Sequence, residues 1–272
     1  SKRFGFDESS SEVKYLEVGH VRNGDEIKNE MILFAASYET IKDHIDMLEE
    51  CGLEPVGIGT IPCCLFRVFE RGLRRQEDAE RTVVFIDIDS DYTTVVFGKY
   101  GQINFIKQIP IGVSRFNRDI AEKLNISYGE AKKLRRRFKI SRANNDVDSR
   151  MADELDASTR QVIVDQISAV SEELSREISL CFRYYTVTFR GKRVERAIIA
   201  SSESDETIML NVLKRQLPVE IELAEPFRNF DMSKINFNDD RRSDLCEWSV
   251  PVGLGLKGLG EDSEWKKCHE RN

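Results

Sequence analysis

Val83 to Phe97, VVFIDIDSDYTTVVF, with its continuation from Gly98, GKYGQINFIKQIPIG, decides the fold of this chain. Valine, isoleucine, phenylalanine and threonine crowd both sides of Asp89-Ser90-Asp91. That is the pattern of two strands around a turn, because β-branched and aromatic residues suit a pleated surface while Asp and Ser satisfy turn backbone locally. Tyr100-Gly101 marks a second, tighter turn, and a third strand follows it. Asp87 stands at the mouth of the first turn, a carboxylate at the end of a strand that reads as buried.

Downstream, Gly112 and Ser114 precede a helix expected over residues 115–124. Ser127 and Glu130 have capping-box spacing and open a second helix running to about Arg137. Residues 139–150 are polar and read as a loop. A long helix is expected over 157–188, where Val162, Ile163, Ile167, Val170, Leu174, Ile178, Cys181 and Phe182 recur at helical spacing. A strand at 194–200, a helix at 205–216, a strand at 219–223, a polar loop at 227–244 and an apolar helix at 249–259 complete this part. Its order is therefore β-β-β-α-α-α-β-α-β-α.

Upstream, residues 13–21 alternate as a half-buried strand and 30–36 read as another. Ser37 is placed to cap a helix over 38–51, with Ile41, Ile45 and Leu48 on one face and Gly52 ending it. A short strand is expected at 55–60 and a helix from Pro62 to about Leu73. The polar run 76–81 is the expected boundary. The division is thus 1–76 for the remainder of a first domain with a small strand–helix subdomain, 77–260 for a complete second domain, and 261–272 for a tail. The chain begins at Ser1 without Met and reads as part of a larger protein.

The 272 residues carry a net charge of -7. An acidic balance excludes the general nucleic-acid binders, which present basic surfaces. No window resembles a membrane span. The six cysteines include the adjacent Cys63 and Cys64 but no CxxC pair, so reduced, buried thiols are expected rather than a zinc site. His20, His44 and His269 are scattered and read as surface residues.

Several blocks, in order, resemble the type IV pilus assembly protein M (PilM) family, relatives of the cell-division ATPase FtsA. They are ILFAASYETIKDHIDMLEECGLEPVGI, IDIDSDYTTVVFGKYGQINFIKQIPIG, GKRVERAIIASS and SVPVGLGLKG. The resemblance implies an α/β, actin-like (ribonuclease-H-like) ATPase fold, with an incomplete first domain and a complete second one. It implies a cytoplasmic protein peripheral to the inner membrane. Its partner would be the N-terminal peptide of a PilN-like membrane protein, with other proteins of a pilus or type II secretion platform around it.

The family's phosphate hairpin is roughly D-x-G-x-x-x-T. Asp87 and Thr93 fit it, but Asp89 stands where glycine lets backbone N–H groups approach phosphate. Two unit charges about 4 Å apart repel by on the order of 4 kcal/mol at an effective dielectric of 20, and Asp91 adds another charge. After the strand at 194–200 the family's glycines are replaced by Ser201, Ser202 and Glu203. The expectation is a scaffold without resident cofactor or catalytic residue. The alternative is an ATP-binding ATPase that holds nucleotide at Asp87, Asp89, Thr93, Ser201 and Ser202, with Mg²⁺ on Asp87 only beside the nucleotide.

Three further motifs have plainer readings. Asp87-x-Asp89-x-Asp91 begins like an EF-hand loop, but Tyr92 and Gly98 occupy the positions of its glycine and its bidentate glutamate. Gly253-x-Gly255-x-x-Gly258 matches a dinucleotide fingerprint, yet no βαβ unit follows, and close helix packing is expected instead. The basic run Lys132 to Lys139, KKLRRRFK, reads as a solvated helix face, or as a surface for an acidic partner or the anionic inner leaflet.

Overall fold

A computed structural model describes residues 9–23, 26–70, 81–143, 155–189, 193–201, 203, 206–235 and 241–259. The boundary expected at 76–81 falls mostly, and the tail wholly, outside them. The elements are β1 (Ser11–Asn23), β2 (Glu26–Ser37), α1 (Tyr38–Glu50), α2 (Ile61–Glu70), β3 (Val83–Ile88), β4 (Thr93–Lys99) and β5 (Gln102–Ile109). There follow α3 (Ser114–Leu124), α4 (Tyr128–Ala143), α5 (Ala157–Thr188), β6 (Arg196–Ser201), α6 (Thr207–Gln216) and β7 (Glu220–Leu223). A 3-10 helix at Arg241–Trp248 leads into α7 (Ser249–Gly258).

β3 is the central strand of a five-stranded sheet ordered β5-β4-β3-β6-β7. It pairs antiparallel with β4 and parallel with β6. The β4–β5 turn gives both Tyr100 and Gly101 positive φ, which matches a two-residue hairpin to the twist of its strands.

Successive β3 side chains point to opposite faces, and both faces are covered. Val84, Ile86 and Ile88 join Phe116, Ile163, Ile167, Leu174 and Met209 beneath α3, α5 and α6. Val83 and Phe85 join Leu65, Phe66, Phe69 and Leu256 beneath α2 and α7. Burying each such side chain contributes roughly 1.5–3 kcal/mol. Phe97 stacks on Tyr185 at 4.5 Å between ring centroids and meets Phe182 edge-on, which fixes the C-terminal half of α5 over β4.

β1 and β2 form a separate two-stranded ribbon. Leu16 faces Ile32 across it, and with Phe34 these residues pack on the α2–α7 side of the sheet. Ser37 caps α1 by accepting the Thr40 N–H at 3.1 Å, and Gly52 follows with φ +76°. Ser127 and Glu130 form the expected capping box: the Glu130 carboxylate accepts the Ser127 N–H at 2.9 Å, and Ser127 Oγ accepts the Glu130 N–H at 3.3 Å.

Three expectations are corrected. Residues 55–60 form no strand, since no neighbouring strand among the described residues offers them a ladder. α4 runs to Ala143 rather than about Arg137, so part of the expected loop is helix. The stretch from Arg241 is a 3-10 helix, not loop.

The glycine motif near the C-terminus resolves into one functional position. A Cβ on Gly253 would run into the backbone carbonyl of Cys64, so α7 and α2 touch main chain to main chain there. Arg67, buried, donates to the Gly253 carbonyl at 2.9 Å across the same contact. Gly255 and Gly258 have open space around them. Gly253→Ala should therefore cost ~1–3 kcal/mol by overpacking, whereas Gly255→Ala should not destabilise; urea denaturation of both variants checks the difference.

Candidate functional site

The C-terminal ends of β3 and β6 lie side by side, with Asp87 opposite Ala200 and Ile88 opposite Ser201. The candidate site is the crest they form with the 89–92 hairpin, the turn before α3 and the turn before α6.

The hairpin is closed by its own groups. Asp89 N–H donates to the Tyr92 carbonyl at 3.0 Å. Ser90 N–H donates to Asp89 Oδ1 at 2.7 Å. The carbonyls of Asp89 and Ser90 accept from Val113 and Ser114 N–H at 2.9 and 2.8 Å. Gly112 allows that approach, since any Cβ there would overlap both carbonyl oxygens. The Thr93 hydroxyl is fully buried and donates to the Ile111 carbonyl at 2.7 Å. Asp91 points away to Arg118, 2.5 Å from its guanidinium.

Asp87 lies mostly buried on the α2–α7 side of β3. Burial, and then the charge of Asp89, push its carboxyl from 3.8 up to about 7. Folding therefore favours the protonated acid, and stability is lost as pH rises from about 3.8 through about 7. Asp87→Asn should accordingly stabilise the protein more at pH 8 than at pH 5, as read by urea denaturation at the two values.

Ser201 is buried, and its hydroxyl donates to the Ile88 carbonyl at 3.1 Å while accepting the Glu203 N–H at 3.1 Å. Asp87, Asp89, Thr93 and Ser201 thus share one crest, with the two hydroxyls engaged inward. Ser202 lies outside the described residues.

Sequence reasoning missed the ion cluster beside Ser201. Arg135, only 5% exposed, reaches from α4 to Glu203 at 2.6 Å and to Glu206 at 3.6 Å, and donates to Asn117 Oδ1 at 2.8 Å. Lys139 donates to the other Glu203 oxygen at 2.7 Å. The basic run is thus not a solvated face throughout: Arg135 and Lys139 turn inward with Ala131 and Phe138, while Lys132, Lys133, Arg136 and Arg137 face solvent. The available signal was spacing, because Arg135 sits four residues after Ala131 and three before Phe138.

The two glutamates respond oppositely. Burial raises both, but at Glu203 the nearby Arg135 charge and the Lys139 and Arg135 hydrogen bonds prevail, and its carboxyl ends below the usual value. Glu206, farther from Arg135, stays raised by burial. Glu206 also begins α6 by accepting the Ile208 N–H at 3.4 Å. Removing the shared cation would strand the buried Glu206 and leave Glu203 with Lys139 alone. Arg135→Ala should therefore cost ~3–5 kcal/mol, measured as a fall in denaturation midpoint.

Among the described residues no group of His, Cys, Asp and Glu is arranged to hold a metal ion. Cys63, Cys64, Cys181 and Cys246 are buried free thiols and Cys51 an exposed one. No helix among the described residues is long and apolar enough to cross a membrane.

The meander β5-β4-β3 continued by parallel β6 and β7, with helices on both faces, is an actin-like fold. The chain belongs to the type IV pilus assembly protein PilM family, whose model matches residues 4–259. Among solved structures, a PilM–PilN type IV pilus biogenesis complex is similar with a TM-score of 0.71 and 18% identity, over 95% of this chain and 69% of that one. The ethanolamine utilization protein EutJ from Carboxydothermus hydrogenoformans gives 0.47 at 15% identity, over 78% and 59% of the two chains. The archaeal actin homolog Ta0583 gives 0.46 at 14% identity, over 76% and 55%. At these identities the likeness concerns the fold. No curated protein sequence matches.

Proposed function

We propose that this PilM-family chain is a scaffold of a pilus or secretion assembly platform at the cytoplasmic side of the inner membrane, and that it holds a short peptide of a PilN-like membrane protein. Its nucleotide crest is degenerate in this reading. The observation that carries the second part is the Asp89 carboxylate on the Ser90 N–H, 2.7 Å away. A backbone donor that would serve a phosphate oxygen already holds an anion from its own chain. The remaining groups agree. The Thr93 and Ser201 hydroxyls are spent on backbone carbonyls, and the Arg135–Glu203–Lys139 cluster fills the turn where the family has glycines. These residues do not fit a triphosphate, and Asp87, whose carboxyl burial and the Asp89 charge push up to about 7, is only partly ionised at neutrality and so a weakened Mg²⁺ ligand.

The surface proposed for the peptide is the β1–β2 ribbon with α1. Its inner face is buried through Leu16, but its outer face presents Val13, Tyr15, Met31 and Leu33, each between 42% and 51% exposed. Tyr15 stands directly opposite Leu33. No described strand pairs with either outer edge of the ribbon. α1 has no fully buried residue, although Ile41, Ile45 and Leu48 lie on its shielded side. Exposed apolar side chains beside a free strand edge are what strand addition requires: main-chain bonds give affinity and side chains give register.

Two titrations test this. Fluorescence anisotropy with a labelled N-terminal peptide of the PilN-like protein should show saturable binding, weakened at least ~10-fold by Tyr15→Asp or Leu33→Asp, since each buries a charge. Calorimetry with Mg-ATP should show no binding at sub-millimolar concentration; heat of binding there would instead establish the ATPase reading.

A further inference from the structure

α5 carries an open cavity on its outer surface that none of the preceding chemistry uses. Its inward stripe runs through Ile163, Ile167, Val170, Leu174, Ile178, Phe182 and Tyr185. Outside that stripe, Arg176, Ser179, Leu180 and Arg183 join Ser175 and Gln216 of α6 around an open cavity of about 420 Å³. That size lies within the span of small-ligand pockets, roughly 300–1,000 Å³.

Its polar groups are uncommitted. Neither the Arg176 nor the Arg183 guanidinium forms a hydrogen bond or ion pair with any described residue. Acidic side chains on the preceding turn are taken: Glu172 lies 3.4 Å from Arg215 and Glu173 lies 3.8 Å from Arg115. The Ser175 hydroxyl in the cavity wall is 1% exposed and has no hydrogen-bond partner. Buried hydroxyls without partners are uncommon, because desolvation is then uncompensated. Two unpaired cations beside an unsatisfied hydroxyl, in a protein whose net charge is -7, form a local site of opposite sign.

We propose that this cavity binds a phosphate-type anion. Arg176 and Arg183 sit seven residues apart, so they project from one helix face about 10 Å apart at the backbone. Guanidinium groups that reach toward each other from that spacing can donate to separate oxygens of one tetrahedral group. Leu180, 48% exposed between them, provides an apolar floor for the organic part of a phosphomonoester or phosphodiester. Ser179 and the Gln216 amide supply further donors at the rim. The site is separate from the nucleotide crest. Phe182, one residue before Arg183, contacts Phe97, which pairs with Val84 near the start of β3, whereas Asp87 ends that strand.

The test is calorimetric titration of the intact chain with inorganic phosphate and with pyrophosphate at constant ionic strength. Flotation with phosphatidylglycerol vesicles, against phosphatidylcholine vesicles, forms a parallel arm. The variants are Arg176→Ala/Arg183→Ala and, as a control for loss of surface charge outside the basic run, Arg193→Ala/Arg228→Ala. Binding of either soluble anion that falls at least ~10-fold in the first variant and not in the second supports the site, as expected for losing charge-assisted bonds. Vesicle binding alone with the same dependence also supports it and makes a lipid phosphate the source. Binding that survives the first variant, or no binding in any arm, overturns it. The four arginines are exposed, so circular dichroism and melting temperature should be unchanged in both variants.

Discussion

β3 is buried on both faces, and the rest of the structure depends on that. A strand covered on one side would need one layer of helices; this one needs α3, α5 and α6 above and α2 and α7 below. It also needs a neighbour at each edge, β4 antiparallel and β6 parallel. A parallel neighbour requires a long crossover, and α3, α4 and α5 supply it. Crossing over returns the chain so that the C-terminal ends of β3 and β6 meet, which is where open sheets of this kind place their ligand crevices. The position of the crest therefore follows from the burial of one strand.

At that crest the backbone is tied together first, and the side chains around it close on one another. The hairpin, the Gly112 turn and the start of α3 are tied together through Val113 and Ser114 N–H groups. Around this frame stand carboxylates and hydroxyls whose bonds go inward. Asp89 satisfies its neighbour's N–H, Ser201 links β6 to β3, and Glu203 and Glu206 share Arg135. A cluster with both signs of charge, nearly sealed from water, is stable only if it stays complete.

Much of the structure from β3 onward was legible in the sequence. Consecutive apolar residues at 83–86 announce a strand buried on both faces, and Tyr100-Gly101 announces a hairpin turn. The long periodic stretch gives α5 its observed bounds, Ala157–Thr188. The Ser127–Glu130 and Ser37 caps are local, since a side chain three residues from its N–H needs nothing else. Segments whose state depends on a distant partner were harder. Residues 55–60 have strand composition, but strand is a pairing state and no described strand pairs with them.

The amino-acid sequence by itself determined the strand and helix order, the helix caps, the carboxylate at the end of β3 and the aspartate and serine in the turns after β3 and at the end of β6. Each of these is a matter of residue type or of spacing within one turn or one strand. Only the tertiary structure decided which charges are buried. Arg135 and Glu203 are 68 positions apart, and the spacing that puts Arg135 on one helix face with Ala131 and Phe138 names no partner for it. Packing α4 against the turn before α6 puts that one guanidinium in reach of two carboxylates. The outer face of α5, whose two arginines find no such partner, is separated from it by the same physics: proximity in space sets the energy of a charge, and sequence distance does not.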